Sequence, residues 1–182
     1  FRNMQQQIAI LGRGESFVHR KFSLLIVLVC LGTLLNTASA REFTIRDWVF
    51  TWYAAQVEEV RMDIEKTPAG TLVVLRSLGG PIATIYAAPD QAVEIGKVLK
   101  NTNMYYEKQM KRRDIDDQDL ITSGEHEIYF TSTRGKNFQV SVRTTSMVSP
   151  AVLMTRNQAL KIAESLLEAD KMAAWVDKRI HP

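Results

Sequence analysis

The sequence predicts an α+β protein made by internal duplication. An antiparallel β-β-β-α unit occurs twice in a pseudo-two-fold arrangement, preceded by an N-terminal signal peptide. Three observations carry this expectation. "DQAVEIGKVL", from Asp90, returns as "NQALKIAESL", from Asn157, 67 positions later. Both copies follow runs with the period-two alternation of half-buried strands. A basic, then apolar, then small-residue leader opens the chain.

Residues 1–40 are that leader. His19, Arg20 and Lys21 precede the 14-residue apolar run "FSLLIVLVCLGTLL", and Ala38, Ser39 and Ala40 form a small-x-small cleavage pattern. A spanning helix needs about 20 apolar residues, so this run reads as a signal peptide cut after Ala40. The expected location is secreted or periplasmic. The alternative is a retained anchor holding the folded body outside the cytoplasm, the one expected route to a membrane. The single cysteine, Cys30, falls in the leader. The remaining chain therefore excludes disulfides, thiolate catalysis and cysteine metal sites.

Charge divides along the same line. Of 23 Lys and Arg and 20 Asp and Glu, four and one lie in residues 1–40, leaving 19 of each sign in 41–182. A neutral body exerts no long-range pull on nucleic acid or anionic lipid. With 46% hydrophobic and 24% charged residues, the composition is that of a globular chain rather than a disordered one.

Residues 41–58 precede the first repeat. Their "FTIRDWVFTWYAAQ" admits a helix, with Thr44 and Asp47 as a capping box, or a strand in which Trp48, Phe50 and Trp52 alternate. The strand is preferred because it would extend a sheet with short exposed edges. The first repeat, 59–110, reads "VRMDIE", turn, "TLVVLRS", turn, "IATIYAA". A helix then opens with Pro89 in its first turn and the apolar stripe Ala92, Ile95, Leu99. Residues 111–125 read as a charged linker. The second repeat, 126–182, runs "EIYFTST", the turn "RGKN", "FQVSVRT" and "AVLM". Its helix is capped by Thr155 or Asn157, with a stripe from Ala159 through Ile162, Leu166, Ala169, Ala173 and Val176 to Ile180. At a fixed offset of 67, Arg76 falls on Arg143 and Gln91 on Gln158.

Candidate sites are few. Arg76 and Arg143 share one place in both copies and could form a symmetric pair of anion contacts. A strand-end arginine laid over the sheet with its head in water explains them equally well. Adjacent Tyr105 and Tyr106 point about 100° apart on a helix, which leaves one of them to form an exposed recognition patch. Asp114, Asp116, Gln118 and Glu125 sit at calcium-loop spacing. However, Asp119 stands where such a loop needs its glycine, and a solvated run of opposite charges accounts for the segment. His126 and His181 have no visible partners, and no nucleophile-elbow, zinc-helix or phosphate-loop motif occurs. No catalytic residue and no cofactor are expected.

The "RGKNFQV" stretch of the second copy is similar to the basic turn leading into a strand of the Pur-alpha repeat proteins. That resemblance implies a sheet-plus-helix repeat binding single-stranded nucleic acid. The first copy has "TPAGTLV" there, without the basic residues, and such binding needs a cationic groove with stacking aromatics. The leading expectation is therefore an exported, non-catalytic binding module for a protein, an envelope polymer or a small ligand. It would use a sheet face or the groove between copies, with a homodimer as one possible assembly. A single-stranded nucleic-acid binder and an exported hydrolase with an unmarked carboxylate pair are the alternatives.

Overall fold

The computed structural model describes residues 47–79, 82–114, 117–146 and 149–181; the expected leader, 1–40, lies outside them. The described residues form two four-stranded antiparallel sheets and four helices, an α+β fold. Sheet 1 is a meander of β1 (Phe50–Val57), β2 (Val60–Thr67), β3 (Gly70–Ser77) and β4 (Thr84–Ala87). It is followed by α1 (Pro89–Lys100) and α2 (Thr102–Met110). Sheet 2 is a meander of β5 (Asp117–Ser123), β6 (His126–Thr133), β7 (Lys136–Thr144) and β8 (Val152–Met154). Helices α3 (Arg156–Leu166) and α4 (Ala169–Arg179) follow it.

Each half thus has four strands and two helices, one strand and one helix more than the unit expected. Residues 50–57 of the ambiguous N-terminal stretch are a strand, while 43–46 lie outside the described residues. Their counterpart, β5, lies within the stretch read as a linker. Its polar sequence "DQDLITS" hides strand character because acids occupy positions that face a helix. The long stripe of the second repeat is split at Leu167 and Glu168. No proline or glycine marks that break. Ala169, Ala173 and Val176 remain buried beyond it, so packing rather than local sequence sets the bend.

The two halves keep an offset of 67 at β1/β5, α1/α3 and α2/α4. A bulge in β1 between Tyr53 and Ala55 makes it 66 along β2/β6, and an irregularity between Thr131 and Thr133 restores it. Asp63 therefore corresponds to Tyr129. A one-residue slip moves every following side chain to the other face, so the paired bulges keep both apolar faces inward.

The helices cross over between halves. Helices α3 and α4 lie against β1, β2 and β3, whereas α2 lies against β6 and β7. Trp52 of β1 meets Trp175 of α4 with ring centroids 5.3 Å apart, and Tyr105 of α2 stacks on Phe130 of β6 at 4.1 Å. One core, from Met62, Ile64 and Leu75 through Ile95 and Leu166 to Ile128, Phe130 and Val142, runs through both halves. At its centre α1 packs on α3. A Cβ on Gly96 would lie 2.9 Å from the Leu166 Cβ, so the crossing needs a residue without a side chain there.

The helix starts follow local rules. Thr155 accepts from the Gln158 amide at 3.3 Å, and the Gln158 side chain returns to the Thr155 amide at 2.8 Å, a complete capping box. In α1 only the return bond exists, from the Ala88 amide to Gln91 Oε1 at 3.2 Å, and Pro89 supplies the pre-set first turn. No helix among the described residues is long and apolar enough to cross a membrane.

Candidate functional site

Each sheet has an inner face against helices and an outer face without one among the described residues. Strand register places Tyr53, Asp63, Val74 and Tyr86 in one row across the outer face of sheet 1. The neighbouring row holds Arg61 and Arg76, and Glu65 pairs with Leu72 on the other side. Tyr53 and Tyr86, at the two ends, are 67% and 50% exposed. Between them Asp63 is 0% exposed although it stands on the solvent side.

Two arginines bury that carboxylate. Arg76 Nε donates to Asp63 Oδ2 at 3.0 Å, and Arg61 Nε donates to the same oxygen at 3.2 Å. Arg76 also pairs with Glu65. Burial alone would lower the Arg76 pKa. The hydrogen bond to Asp63 and the Glu65 charge outweigh it and push the group up. The Arg61 guanidinium lies 4.7 Å above the Tyr53 ring. Arg61 Nε is also 3.1 Å from Asp63 Oδ1, but off the hydrogen-bond direction. That buried oxygen has no donor among the described residues.

Sheet 2 answers differently at the equivalent places. Leu120, Tyr129, Ser141 and Leu153 form the corresponding row. Glu127 accepts from Tyr129 Oη at 2.8 Å and from Arg143 Nε at 2.8 Å. Those two bonds hold the Glu127 carboxyl below the usual carboxylate range. The Arg143 guanidinium stacks on Tyr129 at 4.6 Å. Both bonds fall on Oε2, and Glu127 is only partly buried, so the trio carries no fully buried acid.

The sequence-derived candidates are thus distributed as follows. Arg76 and Arg143 do occupy equivalent outer-face positions, each ion-paired to a neighbouring strand rather than extended into water. Tyr105 and Tyr106 are both half-buried beneath sheet 2. Tyr105 lies on Phe130, and Tyr106 meets Phe138 edge-on at 5.3 Å with Arg156 stacked 4.2 Å above it. Neither forms a bare patch, because two aromatic rings of sheet 2 and an arginine cover the pair. The calcium-loop candidates do not converge. Asp116 lies outside the described residues. Gln118 is within β5 and Glu125 in the turn beyond it, so a strand rising about 3.3 Å per residue separates Asp114 from Glu125. Among the described residues no three His, Cys, Asp or Glu side chains gather as metal ligands.

Tyr53, Arg61, Asp63 and Tyr86 were missed by sequence reasoning. The sequence carried no signal for them: "VRMDIE" alternates apolar and charged residues strictly, so Asp63 reads as an ordinary outward side chain, and only the packing of Arg61 and Arg76 over it buries it.

A second concavity lies between the halves. A groove of about 520 Å³ is lined by Glu58, Glu59, Ser77, Gln139, Leu153 and Gln158. Glu58 takes a left-handed φ of 53°, and its counterpart Gly124 has φ 58°. The Gln158 side chain donates to Glu58 Oε2 at 2.8 Å, tying the β1–β2 turn to α3. His126 makes a similar tie at 3.0 Å from Nε2 to the Tyr86 carbonyl. The carbonyl can only accept, so Nε2 carries the proton, and Nδ1 is buried without a partner among the described residues. No family model and no curated protein matches this chain.

Proposed function

We propose that this chain is an exported, non-catalytic binding module that recognises its partner on the outer face of sheet 1. It is an internal duplication whose ββββαα halves relate by a pseudo-two-fold axis. The shared element order, the offset of 67 at β1/β5, α1/α3 and α2/α4, and the exchanged helices support that reading. One observation carries the assignment of the surface. Asp63, Arg61, Arg76 and Glu65 form a charge cluster between two exposed tyrosines on a face without a helix against it among the described residues. Desolvating a carboxylate costs several kcal/mol before pairing offsets it. The equivalent position of sheet 2 does without one, so the fold does not require it. A constellation of ion pairs that folding does not need is what a recognition surface provides.

The groove is the weaker candidate because its polar groups are occupied in tying the halves together. A hydrolytic role would need a carboxylate pair in unequal environments with room for substrate. Here Asp63 and Glu65 are both engaged by Arg76. Single-stranded nucleic acid would find stacking tyrosines on this face, but its two arginines are balanced by two acids.

The test is a photo-crosslinking side chain placed at Tyr86 in the full chain in its native cells. The comparison position is Lys171, on the exposed side of α4. A discrete adduct at Tyr86 alone, on a chain beginning at Arg41 and recovered outside the cytoplasm, is expected. Adducts at Lys171 with none at Tyr86 overturn the surface, and an uncleaved cytoplasmic chain overturns export.

A further inference from the structure

Building on the sheet 1 outer face as the binding surface, we propose that its ligand is a glycan: an uncharged, hydroxyl-rich chain of rings. Protein interfaces have an apolar centre depleted of charge and a polar rim. This face is arranged the other way. Charge lies in the middle, at Asp63, Arg61, Arg76 and Glu65, and aromatic rings stand at the two ends, Tyr53 on β1 and Tyr86 on β4. Three strand spacings separate those ends, about 14 Å. A ligand that touches both tyrosines is an oligomer rather than a single sugar.

The polar groups match hydroxyls, which donate and accept at once. Asp63 Oδ1 is a buried acceptor lacking a donor. The Arg61 Nη groups make no hydrogen bond to any described residue, its Nε alone being used on Asp63. The guanidinium now covers both the Tyr53 ring and the carboxylate. A sugar ring that takes the place of Arg61 on Tyr53 opens Oδ1 to one hydroxyl and leaves the swung Nη groups to donate to another. The cluster holds two cations and two anions. A phosphate chain therefore meets as much repulsion as attraction, whereas a neutral chain meets neither. Sheet 2 lacks this equipment. Leucines replace both end tyrosines, and its acid, Glu127, is partly exposed rather than buried.

The test is calorimetric titration of the full chain with three probes: cellohexaose, chitohexaose and a single-stranded oligothymidylate. Expected is saturable binding of at least one hexasaccharide, insensitive to salt. Tyr86→Ala should weaken it about tenfold, a typical loss for one aromatic platform, and Asp63→Asn should weaken it as well. Leu120→Ala, at the sheet 2 counterpart of Tyr53, should leave it unchanged. Tyr86 is half exposed, so its variant stays folded even if Asp63→Asn does not. Failure to bind either sugar, equal loss in Leu120→Ala, or binding of the oligonucleotide with steep salt dependence overturns the proposal. A crosslink at Tyr86 to a polypeptide that survives glycan digestion overturns the glycan while sparing the surface. Absence of any crosslink at Tyr86 removes the surface itself.

Discussion

Gln109 offers the sharpest test of what holds the halves together. It is 0% exposed, at the end of α2 beneath sheet 2. Its Nε2 donates to Asp119 Oδ2 at 2.9 Å and to the Phe130 carbonyl at 3.0 Å, and its Oε1 accepts from Ser132 Oγ at 2.8 Å. Gln109→Leu keeps the volume and removes all three bonds. At about 1 kcal/mol for each neutral bond and somewhat more for the carboxylate, the loss is about 3–4 kcal/mol. Burying a leucine there returns about 1.5 kcal/mol, for a net destabilisation of about 2 kcal/mol. In a body of this size that lowers Tm by about 8 °C. Urea unfolding followed by circular dichroism measures it directly, with an unchanged slope showing that the denatured state is the same. Gln109→Glu keeps the shape but sets an acceptor against Asp119 and the Phe130 carbonyl. It should cost at least as much at neutral pH and recover on acidification. A Gln109→Leu protein within about 0.5 kcal/mol of the parent refutes the reasoning, since buried donors and acceptors cannot lose their partners that cheaply.

Other perturbations address the crossing, a turn and acid stability. Gly96→Ala gains about 1 kcal/mol of helix propensity, but its Cβ would sit 2.9 Å from Leu166 Cβ and 3.1 Å from the Leu167 amide. Overpacking at about 1–3 kcal/mol should outweigh the gain, so the variant unfolds at lower urea. Gly124→Ala meets only a side-chain nitrogen of Gln91 at 3.5 Å. Its cost, about 1 kcal/mol, is therefore that of placing a side-chain residue at φ 58°, read from the same unfolding curves. For Asp119, burial raises the pKa, but hydrogen bonds from Lys108 and Gln109 and the Arg112 charge outweigh it and hold the group below the ordinary carboxylate range. Bonds from Lys66 and Thr71 hold Asp177 down in the same way. A depressed folded-state pKa means that the unfolded chain binds protons first. The stability from both groups is then present above the unfolded value of about 4 and lost as pH falls through the folded one. Asp119→Asn should flatten the acid limb of a stability–pH curve, and an unchanged limb would show that the group contributes nothing.

Some of this protein was determined locally. The stripe Ala92, Ile95, Leu99 and its echo at Ala159, Ile162, Leu166 place α1 and α3, because a 3.6-residue period leaves one face to bury whatever covers it. Alternation through Met62, Ile64, Val73 and Leu75 likewise fixes which side of sheet 1 faces inward. Other features arise only from contacts between distant residues. β5 is a strand because β6 pairs with it and because α2 brings Gln109 and Lys108 to Asp119; its own residues carry no apolar alternation. The exchange of helices between sheets exists only once the halves are packed together with α1 crossing α3 at Gly96, and no local pattern encodes that crossing. The outer-face cluster needs β1, β2, β3 and β4 side by side before Tyr53, Asp63 and Tyr86 share a row. A row across a sheet is written in register, and register is set by turns, bulges and burial acting together.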